Sequence, residues 1–261
     1  TRGGVFGIEI DHHALSPKEA SCTGSPFWSG SVKSGARSPI CKVMKEGFNR
    51  SGSVTVMWLG PASSTDPYVS DQEQAWACNL GQTGQRRFLG SRAWMRSCLS
   101  DLWGVPAQQI PLHAPPGTPP ALPSGWGFVS LSHSKGSALM AWSSAPVGVD
   151  LERLDRRFAS EALMSRYYES SEQRRLRSLP EQSFHQAVLE HWLIKEAAIK
   201  WQQGSLAQDL SHWVVAADGL SASHQASGLQ VSAHCRQLGP WGIAIVSACE
   251  RNLIGATVCL G

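Results

Sequence analysis

A proline-dense stretch, HAPPGTPPALPSG at 113–125, constrains this chain more than any other segment. Its five prolines forbid both a helix and a central strand. It must be an ordered surface loop or a linker between lobes, so regular structure is divided around it. Before it, RRFLGSRAWMRSCLSDLW at 86–103 places Phe88, Leu89, Ala93, Trp94, Leu99 and Leu102 at steps near three and four. That spacing predicts an amphipathic helix, with Gly90 a mild cost inside it. After it, GFVSLSHS and SALMAWSS flank Lys135-Gly136, which reads as a hairpin turn. VGVDLE follows as a third strand. Residues 160–203 are helical in pattern, with Ser183 as a candidate cap of the last helix and Gly204 as its end. Between 211 and 260, HWVVAA, LQVSAHC and WGIAIVSAC are separated by Gly and Ser and read as antiparallel strands. No repeat is visible in the residues themselves. The expectation is a mixed α/β (α+β) fold.

The chain has 261 residues, enough for one large domain or two lobes with a sizeable core. Residues 1–56 differ from the rest, being rich in Gly, Ser and Lys with no sustained period. They are expected to be a disordered or non-native extension, with an N-terminal lobe at 57–145 and a C-terminal lobe at 146–261. A formal net charge of +3 gives no global field for nucleic acid. Seven cysteines, an odd number with no CxxC pair, argue against a disulfide framework or zinc site and for free thiols in a reducing, cytoplasmic setting. No apolar run is long enough for a bilayer, and no signal-peptide layout opens the chain. No nucleic-acid or membrane partner is expected.

Three patterns carry chemistry. On a strand, Asp150 and Glu152 point to one face while Val149 and Leu151 point into a core. Two adjacent carboxylates need a cation or an Arg between them to stay ionised. Taken alone, such a pair more often just faces solvent. Trp192, Glu196 and Lys200 are four apart, on one helix stripe, with Ala187, Leu193 and Ala197 as other buried candidates. Alone, Glu196 and Lys200 would be an ordinary surface ion pair. Ser132 and His133 end a strand before a tight turn. His133 there is an ordinary polar residue or a phosphate contact. Strand alternation argues against a Ser132–His133 dyad, because strand neighbours point to opposite faces. There is no Gly-rich phosphate loop, HExxH or GxSxG motif.

In combination these patterns resemble the 4′-phosphopantetheinyl transferases. VGVDLE is similar to the family's G-[IV]-D-[IVL]-E motif. WLIKEAAIK is similar to its W-x-x-K-E-[AS]-x-x-K motif at Trp192, Lys195, Glu196, Ala197 and Lys200. SLSHS resembles its S-H-S strand. PGTPPALP resembles its G-K-P-x-[LIF] loop, with Thr118 where Lys is usual. The resemblance covers about 86–215, and by length it is to the large monomeric, surfactin-synthetase-activating class. It implies two similar lobes about a pseudo-twofold axis, with coenzyme A in the cleft between them.

Carried over by resemblance, Asp150, Glu152 and Glu196 would hold Mg²⁺, with Mn²⁺ as an alternative. Lys200 would neutralise the pyrophosphate, and Glu196 would act as base. Arg86, Ser132 and His133 would bind coenzyme A through its phosphates, with Gly117 and Pro119 against the adenine. The implied partner is an acyl or peptidyl carrier protein, met by a monomer. One departure is that DQEQAWACNLGQTGQ holds no Lys or Arg where the family is basic. Arg86 and Arg87 are the nearest basic pair, and Arg86 is taken for the 3′-phosphate. Two rival readings keep part of the pattern: a degenerate coenzyme A-binding homologue without transferase activity, and a metal-dependent nucleotide phosphohydrolase.

Overall fold

The computed structural model describes residues 32–34, 54–62, 68–250, 253 and 256–260. Most of the expected 1–56 extension therefore lies outside the described residues. Two five-stranded sheets form the centre. The first has the order β1 (Val32–Ser34), β10 (Thr257–Leu260), β2 (Thr55–Pro61), β4 (Ser137–Ser143), β3 (Phe128–Ser134). The second has the order β5 (Val147–Arg153), β9 (Trp241–Ser247), β8 (Gln230–Leu238), β7 (Ser221–His224), β6 (Trp213–Val215). The second sheet is antiparallel throughout, as the spacing of apolar runs after residue 211 predicts. The sequence patterns do not predict β7.

The helices are α1 (Asp71–Ala77), α2 (Gln82–Trp103), α3 (Ser160–Tyr167), α4 (Ser170–Arg177), α5 (Glu181–Gln202) and the short α6 (Leu206–Asp209). Strand alternation sorts side chains into layers. Val56, Trp58, Met140 and Trp142 pack against Trp94, Met95 and Leu99 of α2. Met57, Leu59, Leu139 and Ala141 face the other way, onto Val149, Leu151, Ile243 and Ile245 of the second sheet. The far face of that sheet, with Ala233, Ala244 and Val246, packs on Leu189, Leu193 and Ala197 of α5. The order is helix, sheet, sheet, helix.

The Lys135-Gly136 turn forms as expected, both residues lying at positive φ (41° and 81°), the conformation a two-residue hairpin requires. Three sequence expectations shift. The last long helix begins after Pro180, whose fixed φ suits a helix start, so Ser183 lies inside the first turn and caps nothing. Its left-handed end residue is Gln203 rather than Gly204. The first-sheet strand begins at Thr55, so a boundary at 57 cuts through it: Val56 is buried in the core, and Thr55 donates to Ser143 Oγ at 2.9 Å. β10, in turn, belongs to the first sheet although it comes last in sequence.

A repeat that no residue identity reveals is present in the spacing. α2 and α5 each have 22 residues, displaced by 99 positions (181 less 82). Each is preceded by a short helix whose third residue, Glu73 or Glu172, closes a capping box. Each of those buried carboxylates is clamped by a cation 23 residues later: Arg96 on Glu73 at 2.9 Å, and Lys195 on Glu172 at 2.8 Å.

Candidate active site

The site lies where the two sheets' edge strands, β3 and β5, run side by side. The open edge of β5 is closed by side chains, not by another strand. Ser130 Oγ accepts from Val149 N at 3.1 Å, and Ser132 Oγ accepts from Leu151 N at 3.3 Å. Ser132 also donates to Asp150 Oδ1 at 2.7 Å, and Ser134 donates to Glu152 Oε2 at 3.0 Å. The serines of SLSHS thus organise the carboxylates of VGVDLE. The proton of Ser132 is directed at Asp150.

Helix α5 comes unusually close to β5. A Cβ on Gly148 would lie 2.0 Å from the Ala197 carbonyl, so only glycine permits this approach. The approach brings Lys200 Nζ to 2.6 Å from Asp150 Oδ1 and 4.0 Å from Glu196 Oε2. Asp150, Glu152, Glu196 and Lys200 therefore meet, whereas Trp192 of the same stripe belongs to the core and packs edge-on with Tyr167.

The electrostatics follow from three carboxylates in one half-enclosed space. Glu196 is pushed up to about 8, first by burial, then by the charge of Asp150, against the opposing pull of Lys200. It therefore holds a proton more readily than a free carboxylate. Glu152 is raised by burial, against Arg156. Asp150 is 2% exposed, and its Oδ2 has no hydrogen-bond partner. Such an atom is costly to bury unless something cationic reaches it. Among the described residues no three Asp, Glu, His or Cys side chains already stand in a metal-holding arrangement. The cations present among the carboxylates are Lys200 and Arg156.

His133 points the other way from Ser132, toward α2, as alternation requires. Its Nε2 lies 3.3 Å from Ser91 Oγ, and Ser91 accepts from Arg92 Nη1 at 3.2 Å. Arg92 Nε in turn donates to the Ala114 carbonyl at 2.7 Å, tying the stem of the proline loop to the helix. His133 is lowered to about 4, first by burial and then by the positive charges of Lys200, Arg92 and Arg87. An anion bound beside the ring would oppose the effect of those positive charges.

Arg87, one helical turn before Ser91, acts on His133. Arg86 is exposed and is not brought to this cluster by any described contact. Gly117 (φ 77°) and Pro119 sit exposed on the loop, whose base is closed by His113 pairing with Ala121. Sequence reasoning missed Arg92, Ser134 and Arg156. It also missed Lys195 as a fully buried clamp, whose ammonium bonds Glu172 and the Trp213 carbonyl. The capping-box spacing Glu169–Glu172 was the available signal for that clamp.

The geometry agrees with two comparisons. Residues 146–243 match the family model of the 4′-phosphopantetheinyl transferase superfamily. The chain is 34% identical over 122 residues to a protein named 4′-phosphopantetheinyl transferase HetI from Nostoc sp. (strain PCC 7120), an overlap of 44% of this chain and 51% of that relative. The chain thus spans about half the length of the curated relative it matches.

Proposed function

We propose that this chain, whose residues 146–243 match the family model of the 4′-phosphopantetheinyl transferase superfamily, moves the phosphopantetheine group of coenzyme A onto a serine of an acyl or peptidyl carrier protein. The observation that carries the reading is the convergence of Asp150, Glu152, Glu196 and Lys200 at the seam between the sheets. The donor set fits a hard divalent cation: carboxylate oxygens only, one of them buried without a partner. Asp150, Glu152 and Glu196 would hold Mg²⁺ or Mn²⁺, which when bound would neutralise their charge and stabilise negative charge on the pyrophosphate.

The rest falls to the chain's own side chains. The carrier serine attacks the β-phosphorus. Its Oγ–P bond forms, the bridging P–O bond breaks, and adenosine 3′,5′-bisphosphate leaves. A serine hydroxyl needs a base, and Glu196 takes its proton. Lys200 supplies positive charge against the pyrophosphate. His133, with Arg87 beside it on the α2 face, would receive the 3′-phosphate, a role for which Arg86 is the less well placed of the two. Gly117 and Pro119 would lie against the adenine. The class suggested by length, the large monomeric one serving peptide synthetases, is part of this proposal, as is action in the cytoplasm. Among the described residues no helix is long and apolar enough to cross a membrane.

The test is incubation with coenzyme A, Mg²⁺ and an apo carrier protein, followed by mass spectrometry of both. Gain of phosphopantetheine on the carrier with release of adenosine 3′,5′-bisphosphate is expected. Release without carrier would make the protein a phosphohydrolase. Binding of coenzyme A with neither product would make it a non-catalytic homologue.

A further inference from the structure

Glu152 differs from its neighbour Asp150 in one respect that bears on cation binding. Asp150 has an oxygen with no partner, whereas both oxygens of Glu152 are engaged, Oε2 by Ser134 and Oε1 by the guanidinium of Arg156. The Arg156–Glu152 pair is only 22% and 17% exposed at its side chains, so it is poorly screened by solvent. Arg156 is also presented from a fixed backbone. Its N–H donates to Arg153 O at 3.2 Å, and its carbonyl accepts from His185 Nε2 at 3.1 Å. The His185 ring is held from its other side by Ser160 at 2.7 Å, and the Arg156 guanidinium lies 5.7 Å from the Phe158 ring centre.

We propose that Arg156 is an internal counter-cation that an incoming divalent ion must displace from Glu152, and that it thereby sets the metal affinity of this site. The inference rests on the metal-binding reading of the three carboxylates given above. It follows from simple competition. A carboxylate oxygen that already accepts from a guanidinium must exchange that bond for a metal bond, so part of the metal's binding free energy is offset by the lost ion pair. Asp150 Oδ2 needs no such exchange and offers the first oxygen to an arriving ion. Once released, the planar fork of Arg156 is a donor suited to a phosphate or carboxylate.

The experiment uses Mn²⁺ alone, titrated into the full chain without coenzyme A. Unbound ion is counted by its paramagnetic resonance signal, and folding is checked by circular dichroism. Arg156→Gln should tighten Mn²⁺ binding by about fivefold or more, the size of one partly exposed ion pair. Arg156→Lys keeps the charge but loses the fork, and should fall between Gln and the parent. Arg153→Gln removes a nearby charge that pairs with Asp155 instead of Glu152, and should leave Mn²⁺ affinity unchanged. Equal affinity in the parent and Arg156→Gln would overturn the competition while leaving the metal site standing. Equal tightening by Arg153→Gln would also overturn it, because long-range charge would then be the cause. If neither the parent nor Arg156→Gln binds Mn²⁺, both this inference and the metal-binding reading fall together. Should Arg156→Gln fail to fold, Arg156→Lys against the parent decides between the same outcomes at smaller amplitude.

Discussion

The two halves of the molecule share a scaffold and differ in what it carries. In each, a short helix and a 22-residue helix are joined by a buried glutamate and its cation, Glu73 with Arg96 and Glu172 with Lys195. Counting from the start of β2 and β5, Trp58 and Gly60 of the first half stand where the second has Asp150 and Glu152. At the displacement that relates the long helices, Ser97 and Asp101 stand where the second has Glu196 and Lys200. The first half fills that space with apolar packing, Trp58 lying in the same core as Trp94. The second leaves it charged. What recurs is therefore the means of folding, and what does not recur is the chemistry.

The largest expected effect tests that division directly. Glu196→Gln should lower kcat by about 10²–10⁴-fold, the usual size of a lost general base. The counterpart Ser97→Ala should leave steady-state turnover close to the parent's. A comparable loss at Ser97 would show that the first half contributes to the reaction.

Next come the clamps. Lys195→Met and Arg96→Met each strand a fully buried carboxylate and should each cost about 3–5 kcal/mol in urea unfolding. Matching costs would establish the clamps as equivalent parts of the scaffold. A Lys195→Met protein of undiminished stability but without transfer would break the equivalence.

Smaller is Gly148→Ala. The added methyl meets the Ala197 carbonyl and Trp201 N, so α5 must back away from β5. A loss of about 1–3 kcal/mol is expected from overpacking, seen in the thermal midpoint, together with a slower reaction because Lys200 retreats from Asp150. Val56, at the matching place in β2, already carries a side chain there, so the first half's helix stands farther off in packing terms.

The smallest effects make the sharpest comparison. Thr55→Val and Ser132→Ala each remove a buried hydroxyl hydrogen bond and should each cost about 0.5–1.5 kcal/mol by chemical denaturation. Only Ser132→Ala should also lower the transfer rate, because Ser132 orients Asp150. Equal rates in the two variants would remove Ser132 from the site.

Legibility in the sequence followed the range of the interaction. Helix α2, the Lys135-Gly136 hairpin, β5 and α5 were visible because period and turn chemistry are local. Asp150, Glu152, Glu196 and Lys200 were visible because two motifs fixed their faces, although the sequence alone does not say that Gly148 lets those faces meet. The Glu172–Lys195 clamp joins residues on different helices, and the capping-box spacing Glu169–Glu172 marks its carboxylate end without marking its cation. Arg156 reaches Glu152 through a turn, where no helical spacing applies. Pro180 outcompeted Ser183 as the helix start because a fixed φ acts on the backbone itself, whereas a serine cap needs a particular side-chain bond. The repeat is one of spacing and burial, not of residue type, so residue identities do not display it.

The placement of β10 bears on how such a chain comes to be folded. β10 lies between β1 and β2, parallel to both, with Thr257 beside Val56 and Val258 beside Met57. Partners that far apart in sequence close a very large loop, which raises contact order and slows folding. On a ribosome the first sheet would wait for the last strand to emerge, with the edge of β2 unpaired and prone to association in the meantime. The second sheet closes a shorter span, its widest pairing joining Val147 to Ser247. The half that bears the carboxylate cluster can thus form first and serve as the surface on which the other half is completed.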